Sequence, residues 1–144
     1  MKRVFFAHSA QTDVKDVRDN SKRLKEMLER LHDNTYKVVA GRQDHQSYFR
    51  GNWDVWQKDV VARTDAVTGA PVYNIFVVLG KTCGRATAGI LKAALEAGRP
   101  ILRWDGGEVL DEVTEVRSTD PDDWQTGFKL YCPAEQLSLF GDDS

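Results

Sequence analysis

The period of the hydrophobic positions changes several times along the chain, and each change marks an element. Residues 3–8 (RVFFAH) are a short β-branched and aromatic run, which predicts a first strand. SAQTD follows, where Ser9, Thr12 and Asp13 are residue types that cap a helix. Over 14–32, Val17, Leu24, Leu28 and Leu31 recur at spacings of seven, four and three. That stripe predicts an amphipathic helix, with mixed Lys, Arg and Glu on its solvated faces. YKVVA (36–40) predicts a second strand. GRQDHQSYFRGN (41–52), polar and bracketed by glycine, matches neither period and is expected to be a loop. Over 53–66, Trp53, Trp56, Val60 and Val61 share one helical side. NIFVVLG (74–80) is hydrophobic throughout, as a strand covered on both faces must be, and predicts the sheet centre. KTCGR then leads into the Ala-rich helix ATAGILKAALEAG, stopped by Gly98, and Pro100 opens the strand PILRW. Residues 105–127 are acidic and turn-rich, FKLYC (128–132) is expected at a sheet edge, and PAEQLSLFGDDS (133–144) is expected to be a tail.

Strand and helix alternate, and parallel neighbours require right-handed crossovers. The expected fold is therefore α/β: a three-layer α/β/α sandwich over residues 1–132, with a mainly parallel sheet of about five strands. Such sheets bind ligands beyond the carboxyl ends of their strands, so the loops of interest are 8–13, 41–52, 80–87 and 105–108.

Among these, 80–87 (GKTCGRAT) carries the most chemistry. Gly80 and Gly84 permit a tight turn, the following helix offers unpaired N–H groups, and Lys81, Thr82, Arg85 and Thr87 add donors. With His8 and Ser9 at the end of the first strand, they form the expected ligand-binding set. It is not a phosphate-binding P-loop, because Ile75 stands where that motif needs its first glycine. The alternative is a turn whose glycines serve sterics alone.

A first strand ending FFAHSA, a hydrophobic central strand, and a Gly/Thr turn into an Ala-rich helix leaving through GRPI resemble the nucleoside 2-deoxyribosyltransferase-like superfamily over residues 3–104. That superfamily is Rossmann-like, close to the flavodoxin arrangement. The layout is also similar to Toll/interleukin-receptor domains, whose first strand reads much like FFAHSA with an Asp soon after, here Asp13. The resemblance implies binding of a nucleoside or nucleotide and action on its N-glycosidic bond through a carboxylate. The transferases carry a Glu just before a Leu on the helix after the Gly/Thr turn, and this chain has Ile90 before Leu91. Ile90 can be neither nucleophile nor base, and Glu96, the Glu of that helix, is expected at the surface. Replacement catalytic candidates are His8 and Asp13, or Asp44 and His45, as general acids or bases. Each has an alternative structural or solvated role.

Charge and cysteine content narrow the partners. Twenty Lys and Arg against 22 Asp and Glu give a net charge of −2, which excludes strong direct nucleic-acid binding through the overall field. Cys83 and Cys132 lack a CxxC partner and are too few for a disulfide framework, so reduced thiols and a cytoplasmic location are expected. The apolar run VFFA is too short for a signal-peptide core or a membrane span. His8, His32 and His45 have no ligand spacing, and neither a metal nor another cofactor is expected.

Residues 136–140, QLSLF, look like the pentapeptide by which bacterial polymerases and repair factors dock on the replicative sliding clamp. Within the pentapeptide, which includes Ser138, Gln136 offers an amide at the groove entrance, Leu137 makes a secondary apolar contact, and Leu139 with Phe140 fill the apolar pocket. The alternative is a last strand packing Leu137, Leu139 and Phe140 on the domain. Three functions follow: a nucleotide- or nucleoside-binding domain recruited to the clamp, an N-glycosidic hydrolase or transferase, or a non-catalytic protein occupying the clamp groove.

Overall fold

In a computed structural model, residues 2–8, 13–48 and 52–133 are described, less the side chains of 46–48 and 53. The chain runs β1 (Lys2–Ala7), α1 (Val14–Leu31), β2 (Tyr36–Ala40), α2 (Gly41–Tyr48), α3 (Trp53–Ala62), β3 (Ile75–Leu79), β4 (Thr82–Cys83), α4 (Arg85–Glu96), β5 (Ile101–Trp104), β6 (Leu110–Glu112), β7 (Glu115–Ser118) and β8 (Phe128–Tyr131). The predicted α/β architecture is the one observed. A five-stranded sheet has the order β2-β1-β3-β5-β6, with β2, β1, β3 and β5 parallel and β6 antiparallel at one edge. The all-hydrophobic β3 lies at its centre, as a run with no polar face requires.

Successive side chains on a strand point to opposite faces, and β1 uses both. Val4 and Phe6 meet Leu24, Met27 and Leu28 of α1 on one side. Phe5 and Ala7 meet Trp56 and Val60 of α3 and Ile90 and Leu91 of α4 on the other. This gives the three layers. Of the stripe read from spacing in α1, Leu24 and Leu28 are buried and Val17 is half-buried; Met27 joins them, and Leu31 is 58% exposed. Gly98, at φ +73°, ends α4 as predicted: its N–H donates to the Leu95 carbonyl, and that of Arg99 donates to the Ala94 carbonyl.

Three expectations need correction. Residues 41–48 are helical, not loop, although their sequence has no apolar stripe. This helix is anchored by a polar side chain, Asp44, which a hydrophobic pattern cannot reveal. Residues 110–112 and 115–118, expected within a turn-rich stretch, are strands. FKLYC is not at an edge: β8 is the middle strand of a second, antiparallel sheet of order β4-β8-β7. That sheet packs Cys83, Val116 and Leu130 into the core beneath α4, and buried Arg103 of β5 donates to the Leu130 carbonyl at 3.0 Å. Among the described residues, no helix is long and apolar enough to cross a membrane.

Candidate functional site

A cavity of about 990 Å³ opens at the carboxyl ends of β1 and β2, on the face covered by α3 and α4. Phe5, Ala7 and His8 form its base. One wall is Gly41, Arg42 and His45 of α2 with Asp54, Trp56 and Gln57 of α3. The other is the first two turns of α4, from Gly84 to Gly89 and on to Lys92, together with Trp124, Gln125 and Phe128. The position is the one a parallel sheet offers ligands, beyond the carboxyl ends of its strands.

The α2–α3 wall is built around a buried carboxylate. Asp44 is 1% exposed, and its two oxygens accept four hydrogen bonds. Trp56 Nε1 donates at 2.8 Å, Arg63 donates through both terminal nitrogens at 2.7 and 3.2 Å, and the Tyr73 hydroxyl donates the fourth. Arg63 reaches Asp59 as well, at 2.6 and 2.8 Å, so its fork joins α2 to the end of α3. Burial alone would raise the Asp44 pKa, but the bonds from Arg63, Tyr73 and Trp56 outweigh it and hold the carboxyl below its usual range. With four donors on roughly four lone-pair sites, this carboxylate has no capacity left for a substrate. Its consequence for the cavity is positional. Asp44 fixes the helix that carries Arg42 and His45, and the His45 ring stands edge-on to Trp56, 4.9 Å between centroids.

The opposite wall is assembled from backbone. The Arg85 N–H, first of the α4 turn, donates to the Trp124 carbonyl at 2.9 Å, and the Arg85 guanidinium donates to the Pro121 carbonyl at 3.2 Å. Residues 119–127 are thereby drawn onto the helix N-terminus. The segment stabilises itself: Asp123 accepts from the N–H groups of Gln125 and Thr126, and the N–H groups of Thr119 and Asp120 both donate to the Gly127 carbonyl. Gly84 is needed here for closeness rather than for a turn conformation. Its backbone is extended, and a Cβ would stand 2.7 Å from the Trp124 carbonyl oxygen. Between the walls, Gln57 crosses from α3 to donate to the Ala86 carbonyl at 2.8 Å, over Gly89.

The structure brings together part of the predicted set. His8, Gly84, Arg85 and Thr87 line the cavity, as does His45. Gly80, Lys81 and Thr82 do not: Gly80 turns the chain at φ +98°, and the next residues run into β4, where the Lys81 carbonyl accepts from Leu130. Asp13 caps α1, its carboxylate accepting from the Lys15 N–H at 3.1 Å. The 105–108 loop is tied to the far side of the sheet, where Arg23 donates to the Gly106 carbonyl and Arg30 pairs with Glu108. Ser9 and residues 136–140 (Gln136, Leu137, Ser138, Leu139 and Phe140) lie outside the described residues. Ile90 is 1% exposed in the core, and Glu96 is exposed as expected. Burial pushes the Cys83 thiol up to about 12, against the opposing pull of Lys92, so it stays protonated and unreactive at neutral pH.

Sequence reading missed Asp54, Gln57, Lys92, Trp124, Gln125 and Phe128 as cavity residues. Asp54, Gln57 and Lys92 face the opening from helices whose apolar stripes drew attention to the core. Trp124, 61% exposed, was visible as a large aromatic in an acidic turn, a placement that burial does not explain. Chemically, the cavity joins aromatic surface, cations, two imidazoles and one carboxylate, Asp54, among its described residues. No protein-family model, curated protein or solved structure matches the chain.

Proposed function

We propose that the chain is a nucleotide- or nucleoside-binding domain related to the deoxyribosyltransferases, carried to the bacterial sliding clamp by residues 136–140 (QLSLF). The observation that carries the first half is the cavity: it sits beyond the carboxyl ends of a parallel sheet and combines ring-stacking side chains with hydrogen-bond donors. The burial of Ile90, where the transferases keep their carboxylate, favours binding over the inherited chemistry. The second half rests on the pentapeptide. Titration of the purified protein with deoxynucleosides and their monophosphates tests the cavity, and saturable binding is expected. Removal of residues 135–144 is expected to abolish clamp capture in a pull-down while leaving the melting temperature nearly unchanged. Clamp capture by the truncated chain would reject the docking role.

A second reading is hydrolysis of an N-glycosidic bond. Asp54 favours it, because this carboxylate shares the cavity with His8 and His45. In such a reaction water adds across the sugar–base bond, the carboxylate assists at the sugar carbon, and an imidazolium protonates the departing base. Release of free base by the wild type, lost in Asp54→Asn, is the result this reading requires.

A further inference from the structure

We infer that the α4 wall selects a phosphorylated ligand, a nucleoside monophosphate over the free nucleoside, with the base stacked on Trp124 and the phosphate held by Arg85 and Lys92. The inference rests on the nucleotide-or-nucleoside reading above and narrows it. Its first support is the sign of the charge. The chain as a whole is acidic, yet the cavity is lined by Arg42, Arg85 and Lys92 against a single described carboxylate, Asp54, on the opposite wall. Local cations in a concave, partly apolar site attract an anion far more effectively than the net charge implies.

The second support is how these cations are held. Arg85 is steered by a neutral carbonyl, that of Pro121, and Lys92 lies 5.2 Å over the Phe128 ring. Among the described residues, neither is paired with a carboxylate. They are seven residues apart on α4, two turns or about 10 Å of rise, with Ala88 and Gly89 between them on the same face. Two long cationic side chains flank two very small ones, and the Gln57 amide of α3 lies over Gly89 between them, so the groove presents an amide between two cations. The neighbouring acidic residues do not reverse this sign. Asp120, Asp122 and Asp123 do not line the cavity, and the carboxylates of Asp120 and Asp123 accept from N–H groups of their own turn.

The third support is Trp124. A 61%-exposed indole costs hydration free energy, yet its backbone is fixed, with its carbonyl bonded to the Arg85 N–H. An exposed aromatic on an anchored stretch of backbone at the rim of a cavity is a surface for a flat ring, and it adjoins the cations that take the phosphate.

The test is fluorescence titration of the full chain with the four 2′-deoxynucleoside 5′-monophosphates and, separately, the four deoxynucleosides. The monophosphates are expected to bind about tenfold tighter, as one to two charge-assisted hydrogen bonds provide. Lys92→Glu is expected to bring the two affinities together, and Trp124→Ala to weaken both about tenfold, with Trp124→Phe restoring much of the loss. Circular dichroism melts establish that each variant folds; Lys92→Gln, milder in charge, is expected to give an intermediate ratio. Equal affinities for monophosphate and nucleoside in the wild type would overturn the phosphate assignment and leave nucleoside binding standing. Failure of all eight compounds to bind would overturn the nucleotide-or-nucleoside reading itself.

Discussion

The wall formed by α2 and α3 is held by a buried charge, whereas the wall formed by α4 and residues 119–127 is held by backbone hydrogen bonds packed too closely to admit side chains. In the first, Asp44 gathers Trp56, Arg63 and Tyr73 from different parts of the chain, and the loss of one partner leaves the others desolvated. In the second, Arg85 and Asp123 add side-chain bonds to the backbone ones, but the tightest constraint falls on Gly84 and Gly127, because carbonyl oxygens occupy the space a Cβ needs. The same cavity therefore has one wall sensitive to charge and another sensitive to volume.

Substitutions that exchange these sensitivities test the comparison. The largest effect is expected from Asp44→Ala, which strands most of the Arg63 fork in a buried site. A loss of about 4 kcal/mol in urea unfolding is expected, with Asp59 retaining part of the guanidinium's partnership. Gly127→Ala comes next. Its Cβ would lie 2.1 Å from the carbonyl oxygens of both Asp120 and Asp123, and about 2–3 kcal/mol is expected. Hydrogen exchange localises the damage: the Thr119 and Asp120 amides lose protection, while those of β1 and β3 keep theirs. Gly84→Ala, 2.7 Å from one carbonyl oxygen, is expected to cost about 1–2 kcal/mol and to weaken ligand binding by moving Trp124 off the rim.

Acid separates the walls in another way. The Asp44 pKa is lowered in the folded state, so its contribution is complete above the unfolded value near 4 and is lost as pH falls through the folded value. Stability measured from pH 5 downward is expected to fall less steeply in Asp44→Asn than in the wild type. Asp123 is lowered too, by Thr126 first, but it is half-buried and its donors are neutral groups of its own turn, so Asp123→Asn is expected to change the acid limb less than Asp44→Asn does. The smallest effect is expected from Gly89→Ala. Helix propensity gains about 1 kcal/mol, and displacing the Gln57 amide from the Ala86 carbonyl costs about the same, for a net change within about 0.5 kcal/mol. A large loss there would mean that Gln57 is as essential to the site as Asp44.

The fold was legible wherever burial is apolar and local. The unbroken IFVVL run names the central strand, and Gly98 with Pro100 marks the end of α4, because covered strands and helix stops impose their residue types directly. The second sheet was not legible, since β4 and β7 are two and four residues long and gain their pairing from β8, distant in sequence from β4; the three-residue edge strand β6 of the first sheet escaped notice for the same reason. The candidate site divides the same way. His8, Gly84, Arg85 and Thr87 follow from the rule that ligands lie at strand ends, and the cavity lies there.

What the sequence determined by itself was the layered α/β architecture, the centre of the sheet and the end of the sheet at which the cavity lies. Tertiary structure decided which polar residues are spent on the scaffold. Asp44 and His45 are neighbours with equal claim to chemistry in the sequence, yet Asp44 is consumed by Arg63, Trp56 and Tyr73 while His45 faces the cavity. The reason is physical: a hydrophobic period records which side chains avoid water, but the fate of a carboxylate depends on donors that only folding brings within 3 Å.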